Sequence, residues 1–419
     1  MRFITTRLRS RRLATVLSGL LLATGVQAVT APEAAAALPE ISAVYNNPAG
    51  TVEEQQAIRL QIQSLINSAA PASDITVALY HMWDETTARA LATAHTERGV
   101  NVRVLLDSTS VSDNPSNGSY GILQEALGTD RTQASFVGLC PQGRACLGDP
   151  ANGASINHNK FFLFSQVDGA SNLVVQTSSN LTPSQYSRMR NDAVLLQNIG
   201  IYNAYASYFG KLSTQDWDSW SYTTATFSPY KVYFYPYVPG TGNSSDTIWN
   251  ILDDVTCTWT EGTTTKRSKV RVAVLKITRQ GVADKLVELK KAGCDVDIVY
   301  AESDSVASSG SPGTWETLHT SGGPSVRCYN YDEDNDATTA NSTVHSKYLL
   351  IDGKYSGTVN KLVWTGSHNY SGPALRENDE ALLKIDSTTV HDQYVTNFTA
   401  VKAAAVPGTA DNTAACKGV

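Results

Sequence analysis

The sequence of 419 residues lacks several features that define common classes of protein, beginning with closely paired cysteines. None of its six cysteines forms a Cys-x-x-Cys pair, so this even set favours disulfide bonds over a zinc site. Six cysteines can pair in fifteen ways. We expect a bridge between Cys140 and Cys146, because it closes a short loop. The other pairings stay open, although a bridge from Cys416 would hold the alanine-rich C-terminal tail.

Long apolar runs are also missing. Leu13–Ala23 is too short and too rich in small residues for a comfortable membrane span. Five arginines precede this run and small residues suited to cleavage follow it, which is the pattern of a secretory signal peptide. We therefore expect residues 1–37 to be a signal peptide and the protein to be secreted. The pair Arg11-Arg12 weakly suggests twin-arginine export, and ordinary secretion is the preferred interpretation.

Positive charge is scarce, because 33 lysines and arginines face 39 acids and give a net charge of −6. Residues 1–28 carry five arginines and no acid, so their removal changes this net charge to −11. A strongly acidic protein repels a polyanion, and we expect no nucleic-acid partner. The acidic run Asp332–Asp336 resembles a calcium loop, but Ala337 replaces its turn glycine, and we interpret it as a solvated loop.

One set of polar residues, by contrast, occurs twice in the same order. The first copy is His158, Lys160, Ser178, Asn180, Asn191 and Asp192, and the second is His345, Lys347, Ser367, Asn369, Asn378 and Asp379. The histidine and the aspartate are 34 residues apart in both copies, and no other His-x-Lys triplet occurs in the chain. We conclude that one site has been duplicated.

The apolar pattern repeats along with these motifs. A β-branched run, a helical pattern that ends at a glycine and a second strand follow one another in both halves. In the first half they are Ile75–Leu79, Gly99 and Val102–Leu106, and in the second Val270–Leu275, Gly293 and Val296–Tyr300. The pattern predicts an α/β protein of two similar α-β-α lobes, residues 38–225 and 226–419, with mixed or parallel sheets. We expect the lobes to be related by pseudo-twofold symmetry, with the active site at their interface.

The duplicated residues suit phosphoryl transfer. One neutral imidazole can attack phosphorus while the other, protonated, donates to the leaving oxygen, so His158 and His345 are the expected catalytic pair. Lys160 and Lys347 would neutralise the phosphoryl oxygens. We expect Asp192 and Asp379 to orient the imidazoles, as in a serine-protease triad, and Asn180, Asn369, Ser178 and Ser367 to bind substrate. The histidines and aspartates would also suit zinc, but a lysine beside each histidine opposes a cation, so we expect no metal and no cofactor.

The segments "HNKFFLF…TSSN" and "HSKYLLID…GSHN" resemble the duplicated His-x-Lys-x4-Asp signature of the phospholipase D superfamily, and the repeat covers nearly all of the mature chain. Within this superfamily, we expect the chain to be most similar to the secreted actinobacterial phospholipases D. The resemblance implies a covalent phosphohistidine intermediate and no metal cofactor, with His158 as the nucleophile and His345 as the acid.

The first motif departs from the signature. The second motif keeps its aspartate at Asp352, whereas Ser165 stands at this place in the first, and Thr177 replaces the glycine found at Gly366. The signature aspartate generally supports the structure near the site. We therefore expect Asp352 and Ser165 to have structural roles and activity to survive.

Three functions fit these residues. The preferred one is a secreted phospholipase D that hydrolyses the distal phosphodiester bond of phospholipids to phosphatidic acid and a free alcohol, with water or another alcohol as acceptor. We expect a monomer that acts at a membrane or micelle surface. The alternatives are a metal-independent nuclease or phosphodiesterase of the same superfamily and an inactive phosphoester-binding protein.

Two long connections, 108–157 and 302–344, precede the catalytic motifs and should form the rim of the cleft. The aromatic segment Tyr230–Tyr237 suggests a lipid-facing surface, but its alternation favours the first strand of the second lobe. A lone histidine is usually a surface or a core residue, and this is our interpretation of His81, His95, His319 and His391.

Overall fold

The computed structural model describes residues 38–148, 155–237, 242–305, 312–331, 338, 341–407 and 414–417. The expected signal peptide and the acidic run Asp332–Asp336 with Ala337 lie outside the described residues. The described residues belong to one compact unit. Among the described residues, no helix has both the length and the apolar character needed to cross a membrane.

The first lobe alternates strands and helices. Its strands are β1 Ile41–Tyr45, β2 Asp74–Leu79, β3 Asn101–Leu106, β4 Phe136–Leu139, β5 Lys160–Val167, β6 Ala170–Thr177, β7 Met189–Arg190 and β8 Asp192–Gln197. Its helices are α1 Val52–Gln55, α2 Ala57–Asn67, α3 Glu85–Arg98, α4 Thr109–Ser112, α5 Ser119–Leu127, α6 Pro183–Ser187 and α7 Ile199–Thr214.

The second lobe repeats this arrangement with an added hairpin. Its strands are β9 Thr223–Phe227, β10 Tyr230–Phe234, β11 Val255–Thr256, β12 Thr258–Glu261, β13 Thr264–Arg267, β14 Lys269–Lys276, β15 Asp295–Glu302, β16 Ser325–Cys328, β17 Asn330–Tyr331, β18 Ser342–Val344, β19 Lys347–Tyr355, β20 Thr358–Gly366, β21 Ala381–Asp386 and β22 Val406–Pro407. Its helices are α8 Thr247–Asp253, α9 Gln280–Lys291, α10 Thr314–Leu318, α11 Gly372–Arg376, α12 Thr388–Ala404 and α13 Ala414–Lys417, with a 3-10 turn at Asn243–Ser245.

The two large sheets have equivalent strand orders, which confirms the predicted α/β fold of two similar lobes with mixed sheets. The first runs β1-β8-β6-β5-β2-β3-β4, and the path β10-β21-β20-β19-β14-β15-β16 in the second matches it strand for strand. Strands β2, β3 and β4 are parallel, as are β14, β15 and β16, and the remaining neighbours on these paths are antiparallel. Strand β9 pairs with β10, so the expected lobe boundary between residues 225 and 226 falls inside β9.

Local sequence explains the ends of these elements. The Asp84 side chain accepts a hydrogen bond from the Thr86 amide and caps α3, which then ends at Gly99 with a φ of 67°. Strands β2 and β14 lie inside their sheets, and the burial of most of their residues accounts for their apolar content.

One hydrophobic core joins the lobes. It contains residues of both sheets together with α7 and α12, including Phe161 and Tyr205 from the first lobe and Tyr348 and Tyr394 from the second. Two further cores cover the outer faces of the sheets. Because the central core holds the two sheets together, loops at the edge of the lobe interface have fixed positions.

Three disulfides link Cys140 to Cys146, Cys257 to Cys294 and Cys328 to Cys416. The first is the predicted short bridge, and the third holds the C-terminal helix as the sequence suggested. The aromatic segment is strand β10, where Tyr233 and Phe234 are buried, so the strand interpretation is confirmed and the lipid-facing one is wrong for these residues.

Candidate active site

Backbone pairing between the lobes brings the two histidines to the interface. The amide of His158 donates to the carbonyl of Asp379 at 3.0 Å, and the amide of His345 donates to the carbonyl of Arg190 at 2.9 Å. Strand β7 of the first lobe also pairs in parallel with β18 of the second. Each catalytic motif is therefore held by a segment of the other lobe, as the pseudo-twofold arrangement requires.

The two lysines lie at the starts of β5 and β19 and are fully buried. Lys160 Nζ donates to the carbonyl of His158 at 2.8 Å, and Lys347 Nζ donates to the carbonyl of His345. Burial lowers the pKa of Lys160 to about 7. Burial, and then the neighbouring Lys160, lowers the pKa of Lys347 well below its ordinary value. The site thus concentrates positive charge that a phosphodiester anion would stabilise.

The imidazole partners differ from those predicted, and the expectation that Asp192 and Asp379 orient the histidines is wrong. Nδ1 of His158 lies 2.9 Å from both carboxylate oxygens of Glu380. Nδ1 of His345 lies 2.9 Å from the side-chain oxygen of Asn191. Each histidine is therefore oriented by the other lobe, by a direct sequence neighbour of the predicted aspartate.

The predicted aspartates are instead structural. The carboxylate of Asp379 accepts hydrogen bonds from the amides of Cys146 at 2.8 Å and Leu147 at 3.1 Å. The carboxylate of Asp192 accepts from the hydroxyl of Tyr394 at 2.8 Å and from that of Thr365. Side chains alternate in direction along a strand, so a neighbour of each aspartate points to the opposite side. That alternation places Asn191 and Glu380, rather than the aspartates, at the imidazoles.

The two imidazole partners occupy equivalent places in the repeat and differ by substitution. The offset between the halves is 187 at the histidines and 189 after the β19–β20 hairpin, which is two residues longer than β5–β6. The amide of Ser178 donates to the carbonyl of Asp192, and the amide of Ser367 donates to that of Ala381, so Asn191 is equivalent to Glu380. Equivalent positions therefore give one histidine a carboxylate partner and the other a neutral amide.

The carboxylate partner gives His158 a distinct electrostatic environment. Burial raises the pKa of Glu380 to about 8, against the opposing effects of Lys160, Ser367 and Lys347. Burial first, and then Lys160, lowers the pKa of the His158 imidazole well below its usual value. With Nδ1–H of His158 donating to the carboxylate of Glu380, Nε2 keeps a lone pair suited to attack.

The amide of Asn191 fixes the tautomer of His345. Its nitrogen donates to the carbonyls of Gln185 and Met189 at 3.2 Å each, so its oxygen faces His345 and accepts from Nδ1–H. Lys347 Nζ also lies 3.0 Å from this Nδ1, but a protonated Nδ1 cannot accept, and the lysine donates to the carbonyl of His345 instead. Burial and then Lys347 lower the pKa of the His345 imidazole. A bound phosphodiester anion raises that pKa again, so the ring takes up a proton from solvent and Nε2 carries it as an acidic proton.

The remaining motif residues divide into two groups. The side-chain oxygens of Asn180 and Asn369 are buried without a hydrogen-bond partner among the described residues, which leaves them available to a ligand. Ser178 and Ser367 are fully buried; Ser178 Oγ donates to Asn191 at 3.1 Å, and a hydrogen bond from Ser367 lowers the pKa of Glu380. The serines hold the imidazole partners in place, and their contact with substrate stays a prediction.

The signature position has a support role in both lobes. Ser165 Oγ accepts from the amide of Asp74 at 2.8 Å, and Asp352 lies 3.6 Å from the ammonium of Lys269. Asp74 and Lys269 begin the equivalent strands β2 and β14. Serine therefore makes the same connection between neighbouring strands that aspartate makes in the other lobe, and the departure from the signature leaves the site intact.

Two features of the site were not predicted from the sequence. His81, interpreted as a surface or core residue, stacks on Tyr80 with ring centroids 3.7 Å apart. Burial and then Lys160 lower its pKa to about 4. The second feature is a cavity of about 470 Å³ beside His158, which extends to Glu302 and Asn369. Part of the predicted rim of the cleft lines this cavity, because Ile156 belongs to the long connection 108–157 and residues 302–304 belong to the connection 302–344.

Comparison with known proteins agrees with this arrangement. A family model described as "Cardiolipin synthase, PLD-like domain" matches residues 62–213 and 263–402, which together exceed half of the chain. The chain therefore belongs to this phospholipase D-like family, and members of the superfamily act on phosphodiester bonds. No curated protein matches the chain significantly.

Two solved structures share the fold. Phosphatidylserine synthase from Haemophilus influenzae Rd KW20 is 14% identical with a TM-score of 0.56, and the match covers 87% of each chain. Polyphosphate kinase from Porphyromonas gingivalis is 13% identical with a TM-score of 0.52, over 90% of this chain. The chain spans about half the length of that kinase, 53%.

Proposed function

We propose that the protein is a secreted phospholipase D that hydrolyses the distal phosphodiester bond of phospholipids. The observation that carries this proposal is the unequal pair of histidines, one bound to the carboxylate of Glu380 and the other to the amide of Asn191. Family membership supports phosphodiester chemistry in general. The net charge of −11 for residues 29–419 disfavours nucleic acid as the substrate.

In the first step, Nε2 of His158 attacks phosphorus and the bond from phosphorus to the head-group oxygen breaks. His345 gives its Nε2 proton to that oxygen, and the alcohol leaves. The charge of Glu380 stabilises the phosphorylated imidazole, whereas the neutral amide of Asn191 leaves His345 a stronger acid. Lys160 and Lys347 stabilise the charge on the non-bridging oxygens, and the asparagines of the motifs add neutral donors.

In the second step, neutral His345 takes a proton from water, which attacks phosphorus and breaks its bond to His158. Phosphatidic acid is released and both imidazoles return to their starting protonation. An alcohol in place of water would transfer the phosphatidyl group, because the covalent intermediate is common to both acceptors. We propose a monomer, since residues of one chain supply both halves of the site.

Similar proteins support a lipid substrate. The family model refers to a cardiolipin synthase, and the phosphatidylserine synthase structure shares the fold. The arginine-rich start, the apolar run and the small residues of positions 1–37 support secretion. The three disulfides suit an oxidising compartment.

The test is head-group release from phosphatidylcholine vesicles by purified mature protein, with and without EDTA. We expect choline release that EDTA leaves unchanged and that His158→Ala abolishes. A parallel plasmid-degradation assay tests the nuclease alternative. DNA loss without choline release would replace the proposal with that alternative, and vesicle binding with neither activity would favour an inactive phosphoester-binding protein.

A further inference from the structure

The two halves of the catalytic cleft are filled differently. On the first-lobe side, His81 stacks between Tyr80 and Trp83, with centroid distances of 3.7 and 4.6 Å. On the second-lobe side, Lys276 occupies the position equivalent to His81. Leu79 pairs with Lys160 in the first sheet, and Val274 pairs with Lys347 at the equivalent place in the second. His81 and Lys276 each lie two residues beyond these paired positions. Aromatic rings fill the first side, and the cavity of about 470 Å³ opens on the second.

Charged groups line this cavity opposite the proposed nucleophile. His158 forms one wall with 8% of its surface exposed, and its Nε2 has no hydrogen-bond partner among the described residues. Lys276 Nζ lies 2.8 Å from a carboxylate oxygen of Glu302 on another wall. Asp304 adds a second carboxylate, one oxygen of which accepts from the Thr314 amide at 2.9 Å. Two acids and one lysine give this wall a net negative charge.

The position of Lys276 places this wall on the side where the alcohol leaves. Strands β14 and β19 pair Val274 with Lys347, and the Leu275 amide donates to the carbonyl of Ser346 at 3.1 Å. The continued register sets Lys276 opposite His345. His345 is the proposed acid that protonates the leaving oxygen, and its cross-strand neighbour Lys276 lines this cavity, so we assign the departing head group to it.

We propose that the cavity binds an amino-alcohol head group, with Glu302 accepting hydrogen bonds from its ammonium and Asp304 adding attraction. This inference rests on the proposed function. Lys160 and Lys347 already neutralise the phosphate, so a wall with one excess negative charge complements a head group that carries one positive charge. Lys276 is 38% exposed in its side chain and can share Glu302 with the ligand.

The experiment compares phosphatidylethanolamine, which has a positive head group, with phosphatidylglycerol, which has a neutral one. Both lipids are presented in the same neutral detergent micelles, and kcat/KM for head-group release is measured for wild type and Glu302→Gln. We expect Glu302→Gln to lower kcat/KM for phosphatidylethanolamine by about tenfold or more, because a hydrogen bond to a charged group is lost. For phosphatidylglycerol we expect a change of less than about twofold.

Two further variants sharpen the comparison. Asp304→Asn keeps an acceptor for the Thr314 amide and should weaken the ethanolamine substrate selectively, by a smaller factor than Glu302→Gln. Glu261→Gln removes one exposed acid from the β12–β13 hairpin, outside the cavity lining, and should leave the ratio of the two substrates unchanged. Equal losses for both lipids, or an unchanged ratio in Glu302→Gln, would overturn the head-group assignment. Failure of wild type to hydrolyse either lipid would instead overturn the proposed function.

Discussion

The partner of His158 supplies the sharpest mechanistic prediction. Glu380 is fully buried, and both of its carboxylate oxygens lie 2.9 Å from Nδ1 of His158. Glu380→Gln keeps the size and one acceptor oxygen but removes the charge. Two unit charges with centres about 4 Å apart interact by about 4 kcal/mol at an effective dielectric constant of about 20. If the transition state places positive charge on His158, kcat should fall by about 10³-fold.

The matched change on the other histidine is Asn191→Ala. It removes a neutral acceptor, which contributes about 1 kcal/mol in a typical case, and should lower kcat by about fivefold. The assay is single-turnover head-group release, which isolates the chemical step. A Glu380→Gln variant within tenfold of wild type, or one less impaired than Asn191→Ala, would refute the assignment of the carboxylate to the nucleophile.

Glu380 should also destabilise the folded protein at higher pH. Its pKa rises from 4.5 to about 8 on folding, so the folded state binds more protons than the unfolded state between these values. Stability therefore falls as pH rises through this window. We expect Glu380→Gln to have a higher Tm than wild type at pH 8 and a smaller difference at pH 5. Thermal unfolding followed by circular dichroism measures both, and a lower Tm for the variant at pH 8 would contradict the direction of the shift.

Three other outcomes follow from the same contacts. The pKa of Lys160 is about 7 in the free site, so kcat/KM should fall as pH rises above 7, whereas kcat should decline only at higher pH because bound phosphate raises that pKa. A kcat/KM that is constant from pH 6 to 9 would exclude a role for charged Lys160 in binding the phosphate. Replacing both cysteines of Cys140–Cys146 by serine should loosen the loop whose amides donate to Asp379, and should lower kcat more than the same change at Cys257–Cys294, with KM unchanged. Equal kcat values in the two variants would refute this role of the loop. Ser165→Ala should lower stability by about 1 kcal/mol in urea unfolding with kcat unchanged, and an inactive but folded variant would show a catalytic role.

Much of the fold follows from repetition along the chain. The apolar runs that became β2, β3, β14 and β15 lie at equivalent places in the two halves, and the matched strand order confirms their interpretation. These elements are predictable because each depends on local periodicity. The pairing of β9 with the second sheet depends on contacts between distant residues and has no local signal.

The site was predictable to the level of the motif. The duplicated spacing identified His158, Lys160 and their second-lobe equivalents, and the structure brings them together. It did not identify Glu380, because the choice between an aspartate and its neighbour depends on which side of the strand faces the other lobe. The offset between the halves changes from 187 at the histidines to 189 at Ser178 and Ser367, and applying the second value to Asn191 gives Glu380.

The central claim is that His158 becomes covalently phosphorylated while His345 acts as acid and base. The most direct test mixes His345→Asn with a short-chain phosphatidyl ester of p-nitrophenol, whose leaving group departs without an acid, and follows with acid-free denaturing quench, proteolysis and mass spectrometry. The account predicts a phosphatidyl group on the peptide that contains His158, and none in the His158→Ala/His345→Asn double variant. A phosphatidyl group on another residue, or wild-type turnover by His158→Ala, would contradict it.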